Sequence, residues 1–229
     1  MPAPLKAVLF DAGNTLLYLD YERIAAAVGA VLGLALDPGR LVAASSAASR
    51  AAGRAQGPDR VRSRAYLEAL FTGAGVPPER WDDVAACLHR LHQENSLWCR
   101  LAAGTREALD RLRSAGLRLG VVSNADGRVE EALVAAGLRD CFDVVLDSAL
   151  AGVEKPDPAI FRAALDALGV TAAEALYVGD LYEVDVVGAR AAGMEAVLLL
   201  ADAPEAGADC GCYHSLAALA DDLLKRGRS

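Results

Sequence analysis

Apolar and polar positions fall into two textures along this chain. Residues 5–11 form a short, mostly apolar run that stops at Asp11 and passes into Ala12-Gly13. A run of that length, closed by an acid and a glycine, predicts a buried strand opening into a loop. From about residue 101 a regular alternation sets in. Helix-spaced apolar positions at 105–115, 127–136, 158–168, 184–192 and 215–225 alternate with strand-like runs at 117–123, 142–147, 175–180 and 195–200. Strands separated by helices of this kind predict an α/β fold, a doubly wound parallel sheet of Rossmann-like type. Ligands of such sheets bind beyond the carboxyl ends of the strands, where the strand order reverses.

Residues 17–100 read differently. They are rich in alanine, leucine and arginine, and no segment reads as a good strand. Four helices are predicted, at 21–34, 38–52, 60–73 and 78–97, separated by glycine or proline breaks. The chain is therefore expected to consist of an α/β core, residues 1–16 and 101–229, with an inserted all-helical domain, residues 17–100. No internal repeat is visible.

Composition narrows the function classes. The 229 residues are 54% hydrophobic and 24% charged, which suits a globular protein with a sizeable core. A formal net charge of −8 argues against nucleic acid and against an anionic membrane as partner, because a basic face supplies most of that affinity. No stretch approaches the roughly 20 apolar residues of a membrane span. Asp11 interrupts the first apolar run before it reaches signal-peptide length. Five cysteines, an odd number, do not suggest a secreted disulfide framework. The expected location is cytoplasmic. Oligomeric state is not readable from these features.

Four strand ends carry reactive groups. Asp11 follows the first strand, where a carboxylate serves as nucleophile or metal ligand, or simply caps a loop. Ser123 and Asn124 end the run Val121-Val122, and a hydroxyl with an amide there can hold a phosphate oxygen or merely make a turn. Lys155, one of three lysines in an arginine-rich chain, stands before Pro156 and Pro158. It can offset charge on a phosphoryl group, or be a solvated loop lysine. Asp180 and Asp185 follow the run Tyr177-Val178-Gly179. They suit Mg²⁺, which takes one or two carboxylates plus waters and substrate oxygens. The alternative is that they favour a helix N-terminus, which fits Asp185 better than Asp180. Singly each signal is weak. In this order, at the ends of successive parallel strands, they describe a nucleophile, an oxygen clamp, a cation and a metal site.

With these motifs the chain resembles the haloacid dehalogenase-like hydrolases, over nearly its whole length. The resemblance implies that the insert is a cap domain. It implies that Asp11 is the nucleophile, with Asn14 and Thr15 beside it in the phosphate loop. It further implies that Ser123 and Asn124 bind phosphate, that Lys155 neutralises charge, and that Asp11, Gly13 (through its carbonyl), Asp180 and Asp185 form the Mg²⁺ site. The run Gly188-Ala189-Arg190-Ala191-Ala192-Gly193-Met194 resembles the helix after the fourth motif. The implied activity is a Mg²⁺-dependent phosphatase forming an aspartyl phosphate from a small phosphorylated substrate. One departure bears on rate. Family phosphatases usually carry a second aspartate two residues after the nucleophile, which protonates the leaving group and activates water. That position is Gly13, followed by Asn14 where glycine is usual. General acid–base catalysis is worth roughly 10²–10⁴-fold. The expected enzyme is therefore slow, or takes a substrate with a good leaving group. The alternative from another class is a catalytically weak or inactive protein that binds phosphate ligands or partners.

Related chemistries fit less well. Family dehalogenases lack the Gly-Asp metal motif. A phosphonate hydrolase needs a cap lysine for its Schiff base, and residues 17–97 contain none. Arg50, Arg54, Arg60, Arg62 and Arg64 read foremost as a solvated face, with a second anionic group on the substrate as the alternative. Cys210, Cys212 and His214 offer three ligands on a short loop without a fourth, a poor zinc site. A Cys210–Cys212 disulfide would be strained. His89 and His92 read as residues of a polar helix face.

Overall fold

The computed structural model describes residues 4–200 and 209–226. In chain order the elements are β1 (Ala7–Phe10), β2 (Tyr18–Leu19), α1 (Tyr21–Leu32), α2 (Pro38–Arg54), α3 (Asp59–Gly73), α4 (Trp81–Glu94) and β3 (Trp98–Arg100). There follow α5 (Thr105–Ser114), β4 (Arg118–Ser123), α6 (Val129–Ala135), β5 (Val144–Asp147), α7 (Ser148–Ala151), α8 (Pro158–Leu168), β6 (Ala175–Gly179), α9 (Val187–Ala191), β7 (Glu195–Leu199), β8 (Gly211–Tyr213) and α10 (Leu216–Arg226). The chain divides into two compact units, Met1–Leu17 with Leu101–Ser229, and Tyr18–Arg100.

The first unit is a parallel six-stranded sheet in the order β5-β4-β1-β6-β7-β8. Its central strands are buried on both faces; every residue of β1 and β6 is buried, and no alternation survives in either. That is the pattern of a parallel sheet covered by helices on both sides. On one face Leu9, Val122 and Tyr177 pack with Ile160, Phe161 and Leu165 of α8 and Ala189 of α9. Burying each of the large side chains contributes about 1.5–3 kcal/mol. The α8 start is set by Asp157, whose carboxylate accepts from Ala159 N, with Pro158 in the first turn. After β5 the chain crosses back to β6 on the other side of β1, so the strand order reverses at β1. The C-terminal ends of β1, β4 and β6 therefore border the crevice where such sheets bind ligands.

The second unit contains α1 to α4 and a two-stranded antiparallel ribbon, β2 with β3, through which the chain enters and leaves. The ribbon was not expected from the sequence, because strands of two and three residues carry no periodicity to read. Asp20 caps α1 by accepting from Arg23 N, and Gly33 ends it in the left-handed region (φ 69°). The segment expected as one helix at 78–97 divides into a 3₁₀ turn at Pro78–Arg80, then α4, which ends before the ribbon. His92 Nδ1 accepts from Leu97 N at that end, and His89 is exposed. Arg64 pairs with Glu68 and lies over the Trp81 ring, while Arg62 donates to the Ala55 carbonyl.

Among the described residues no helix is long and apolar enough to cross a membrane. All five cysteines are free thiols. Cys210 and Cys212 border and enter β8, a sixth strand that the sequence reading did not anticipate.

Candidate active site

The site is built where β1, β4 and β6 end. Asp11 is the first residue beyond β1, and its N–H donates to the Val178 carbonyl of β6. Ser123 is the last residue of β4 and is buried. Asp180 is the first residue beyond β6. Asp185 lies in a π-helical turn, Tyr182–Val186, that leads into α9. This wider turn carries the Asp185 side chain back over the strand end, where Oδ2 accepts from the N–H groups of Asp180 (3.1 Å) and Leu181 (2.9 Å). Gly179 makes room for it. A Cβ there would stand 2.3 Å from the Asp185 Cγ, which no side chain could tolerate.

Lys155 reaches the same point from the loop between α7 and α8. Its ammonium, 2% exposed, donates to Asp11 Oδ1 (2.6 Å), Asp185 Oδ1 (2.7 Å) and the Tyr177 hydroxyl (3.0 Å). The Tyr177 hydroxyl in turn donates to the Val122 carbonyl at 3.0 Å. Asn124 holds the lysine from its backbone. The Asn124 amide donates to the Lys155 carbonyl (2.9 Å), and its oxygen accepts from Lys155 N (2.7 Å).

The loop after β4 is pinned from β5 and α7. The Asp147 carboxylate, buried at the end of β5, accepts from Gly127 N, Val129 N and Ala149 N. Ser148 Oγ accepts from Ala125 N and donates to the Ala125 carbonyl. The loop after β1 closes on itself, with Leu16 N and Leu17 N both donating to the Ala12 carbonyl and Gly13 bridging Leu17. Its left-handed residue is Asn14 (φ 56°), a conformation asparagine tolerates better than most side chains. Asn14 also hydrogen-bonds the Asp180 side chain. Thr15 is buried in the same loop.

Three carboxylates therefore face one ammonium. The ligand atoms of Asp11, Asp180 and Asp185 lie within 4.8 Å of one another. Desolvation raises the Asp11 carboxyl, and Asp185 adds to the rise; Lys155 opposes both, and the result is a pKa of about 6. Desolvation, then Asp11 and Asp185, push the Asp180 carboxyl well above the usual carboxylate range. Desolvation works against charge on Lys155, but the facing Asp11 and Asp185 outweigh it and hold its pKa well above the ordinary value. The cluster thus carries more negative charge than its one lysine can balance. A divalent cation would supply the charge that is missing, and all-oxygen donors suit a hard ion. The residues present fit a metal of that kind.

Of the residues expected at the site, Asp11, Lys155 and Asp185 are in direct contact, and Asp180 stands within ligand distance of the two acids. Asn14 reaches Asp180, and Ser123, Thr15 and Gly13 lie on the strand end and loop that carry the acids. Asn124 differs from the expectation in one respect: its side-chain amide is engaged with the Lys155 backbone. Tyr177 and Asp147 were given no role in the sequence reading. A phenol in an otherwise aliphatic, fully buried strand was the available signal, because a buried hydroxyl needs a partner.

The family model described as haloacid dehalogenase-like hydrolase matches residues 5–193. Among curated proteins, the chain is 41% identical over 139 residues to haloacid dehalogenase-like hydrolase domain-containing protein 3 of Bos taurus, covering 60% of this chain and 55% of that protein. It is 41% identical over 137 residues to a phosphoserine phosphatase of Thermus thermophilus, covering 59% of this chain and 53% of that one. In these matches the chain spans about half the length of its curated relatives. Among solved structures, a HAD phosphatase from Thermococcus onnurineus superposes with a TM-score of 0.61 at 26% identity, over 96% of this chain and 98% of that one.

Proposed function

This chain belongs to the haloacid dehalogenase-like hydrolases, and on that premise we propose that it is a Mg²⁺-dependent phosphatase acting on a small phosphorylated metabolite through an aspartyl phosphate. The observation that carries the reading is the Lys155 ammonium, buried and shared between Asp11 and Asp185 at the strand ends where the third acid, Asp180, also converges.

In this reading Asp11 is the nucleophile. A carboxyl with a pKa of about 6 is mostly ionised at neutral pH. One oxygen, Oδ1, is held by Lys155, which orients the other toward phosphorus. Attack forms the Asp11–phosphorus bond as the bond to the leaving oxygen breaks, with the electron pair departing on that oxygen. Water then attacks the same phosphorus, releasing inorganic phosphate and restoring the carboxylate. Lys155 offsets negative charge on the transferring group, and Ser123, Thr15 and the backbone around Asn14 and Asn124 are the groups placed to hold its oxygens. Asp11, Asp180, Asp185 and the Gly13 carbonyl would hold Mg²⁺. When bound, the ion supplies charge neutralisation at the phosphoryl oxygens.

Gly13 leaves the leaving group without the usual acid. That one substitution favours a second reading, a slow or inactive relative that binds phosphate ligands without turning them over. The two are separated by assaying acyl, aryl and alkyl phosphates with and without Mg²⁺, beside an Asp11→Asn variant. Turnover that needs both Mg²⁺ and Asp11 is expected. No turnover of any phosphate ester, or full activity in the variant, overturns the proposal.

A further inference from the structure

We infer that Tyr177 is a positioning residue that aims the Lys155 ammonium at the reacting centre, an inference that rests on the role proposed for Lys155 above. An ammonium has three donors on a freely rotating head. Here each has one acceptor: Asp11 Oδ1, Asp185 Oδ1 and the Tyr177 hydroxyl. The first two are acids of the site itself, whose bonds to lysine change as charge moves during phosphoryl transfer. The third is neutral and fixed. The single Tyr177 proton is committed to the Val122 carbonyl, so toward Lys155 the phenol oxygen can only accept. Its burial keeps that proton on the oxygen, since desolvation holds the hydroxyl well above its ordinary pKa. The ring is fully buried as well, packed edge-on against Phe161 with centroids 4.9 Å apart.

Tyr177 therefore ties three parts of the site to one oxygen. Lys155 comes from the loop before α8, the phenol from β6, and the carbonyl from the residue immediately before Ser123 on β4. With the backbone of Lys155 held at the same time by Asn124, the lysine is fixed at both ends. The hydroxyl touches no reacting atom in this arrangement, so its effect is exerted through the lysine.

The test is Tyr177→Phe in the full chain, which removes one oxygen and keeps the ring. On an aryl phosphate with Mg²⁺, kcat per folded molecule is expected to fall about tenfold, the worth of one hydrogen bond to a charged group, with KM within about twofold. A purely structural role would lower the folded fraction and leave kcat per folded molecule unchanged. An independent readout needs no turnover. The chain has three lysines, and Lys6 and Lys225 are exposed. In ¹⁵N-labelled protein at neutral pH the Lys155 ammonium should give a slowly exchanging cross-peak with a contact to the Tyr177 hydroxyl proton. Tyr177→Phe should broaden or shift that peak. Unaltered kcat and an unaltered peak overturn the inference. If the variant does not fold, the wild-type spectrum decides alone, and absence of the peak or of its contact to the phenol overturns the inference. If the wild type turns over no phosphate ester, the proposed function fails, and the spectrum still reports whether Tyr177 holds the lysine.

Discussion

Replacing Lys155 with methionine, which matches its length without its charge, isolates the electrostatics of the site. The ammonium is 2% exposed and bonds two carboxylates. Removing one partner of such a buried pair typically costs about 3–5 kcal/mol, because the other charges are left uncompensated. The cost must depend on pH. In the wild type, metal-free, the folded pKa of Asp11 is about 6 against 3.8 for the free side chain, so the folded state binds this proton more tightly than the unfolded chain. That contribution favours folding at low pH and is lost as pH rises from about 4 to 6, a span worth roughly 3 kcal/mol. Lys155 is what keeps the pKa from rising further. Without it the carboxyl is driven higher, and the loss of stability continues above pH 6. Near pH 5 Asp11 is largely protonated in both proteins, so the variant should lose less there, the remaining cost being that of leaving the buried Asp185 without its lysine. Near pH 8 it should lose about 3–5 kcal/mol. Urea unfolding at both pH values, with a chelator present, measures the difference. Far-ultraviolet circular dichroism is the better probe, because both tryptophans, Trp81 and Trp98, lie in the inserted unit. Equal losses at the two pH values, or none, would refute the reasoning.

Three further outcomes are expected. Asp180→Ala should weaken Mg²⁺ binding, measured by titration calorimetry, by more than the roughly 10–100-fold typical of an outer-shell group, and unchanged affinity would remove Asp180 from the metal site. In the wild type, protons compete with the metal for Asp11, whose pKa is about 6, and for Asp180, whose carboxyl is raised by burial and the neighbouring acids, so Mg²⁺ affinity should fall by at least about tenfold per unit as pH drops below 6; an affinity independent of pH between 5 and 7 argues against a carboxylate site. Gly13→Asp should raise turnover of alkyl phosphates by up to about 10²–10⁴-fold and of aryl phosphates by less, since a poor leaving group needs the proton most. The left-handed backbone of that loop belongs to Asn14, so the new side chain is not asked to adopt it.

Much of this could be read before the chain was folded. A buried parallel strand leaves a long apolar run, and a reactive side chain at its end interrupts that run, so Asp11, Ser123 and Asp180 announced themselves. Lys155 stood out because lysine is scarce here, and the predicted starts of α1, α2 and α8 fall directly after Asp20, Asp37 and Asp157, which the structure shows capping them. What escaped was short or long-range. β2, β3 and β8 have two or three residues each, too few for any period, and are defined by the partner they pair with. The π-helical turn at Tyr182–Val186 differs from an α-helical start by one residue's advance, which no hydrophobic pattern resolves.

The identity of the reactive groups was local information, fixed by which side chain ends each strand, and the amino-acid order alone determined it. Their partnerships were decided only by the tertiary structure. Asn124 pairs with the Lys155 backbone across 31 positions and Lys155 with Asp11 across 144. The bond from Tyr177 to Val122 spans 55. Contacts at such separations exist because the parallel strands β4, β1 and β6 end on one edge. Hydrogen-bond direction, desolvation and the crowding of three acids around one ammonium are properties of that edge, and none of them is encoded in any single stretch of the chain.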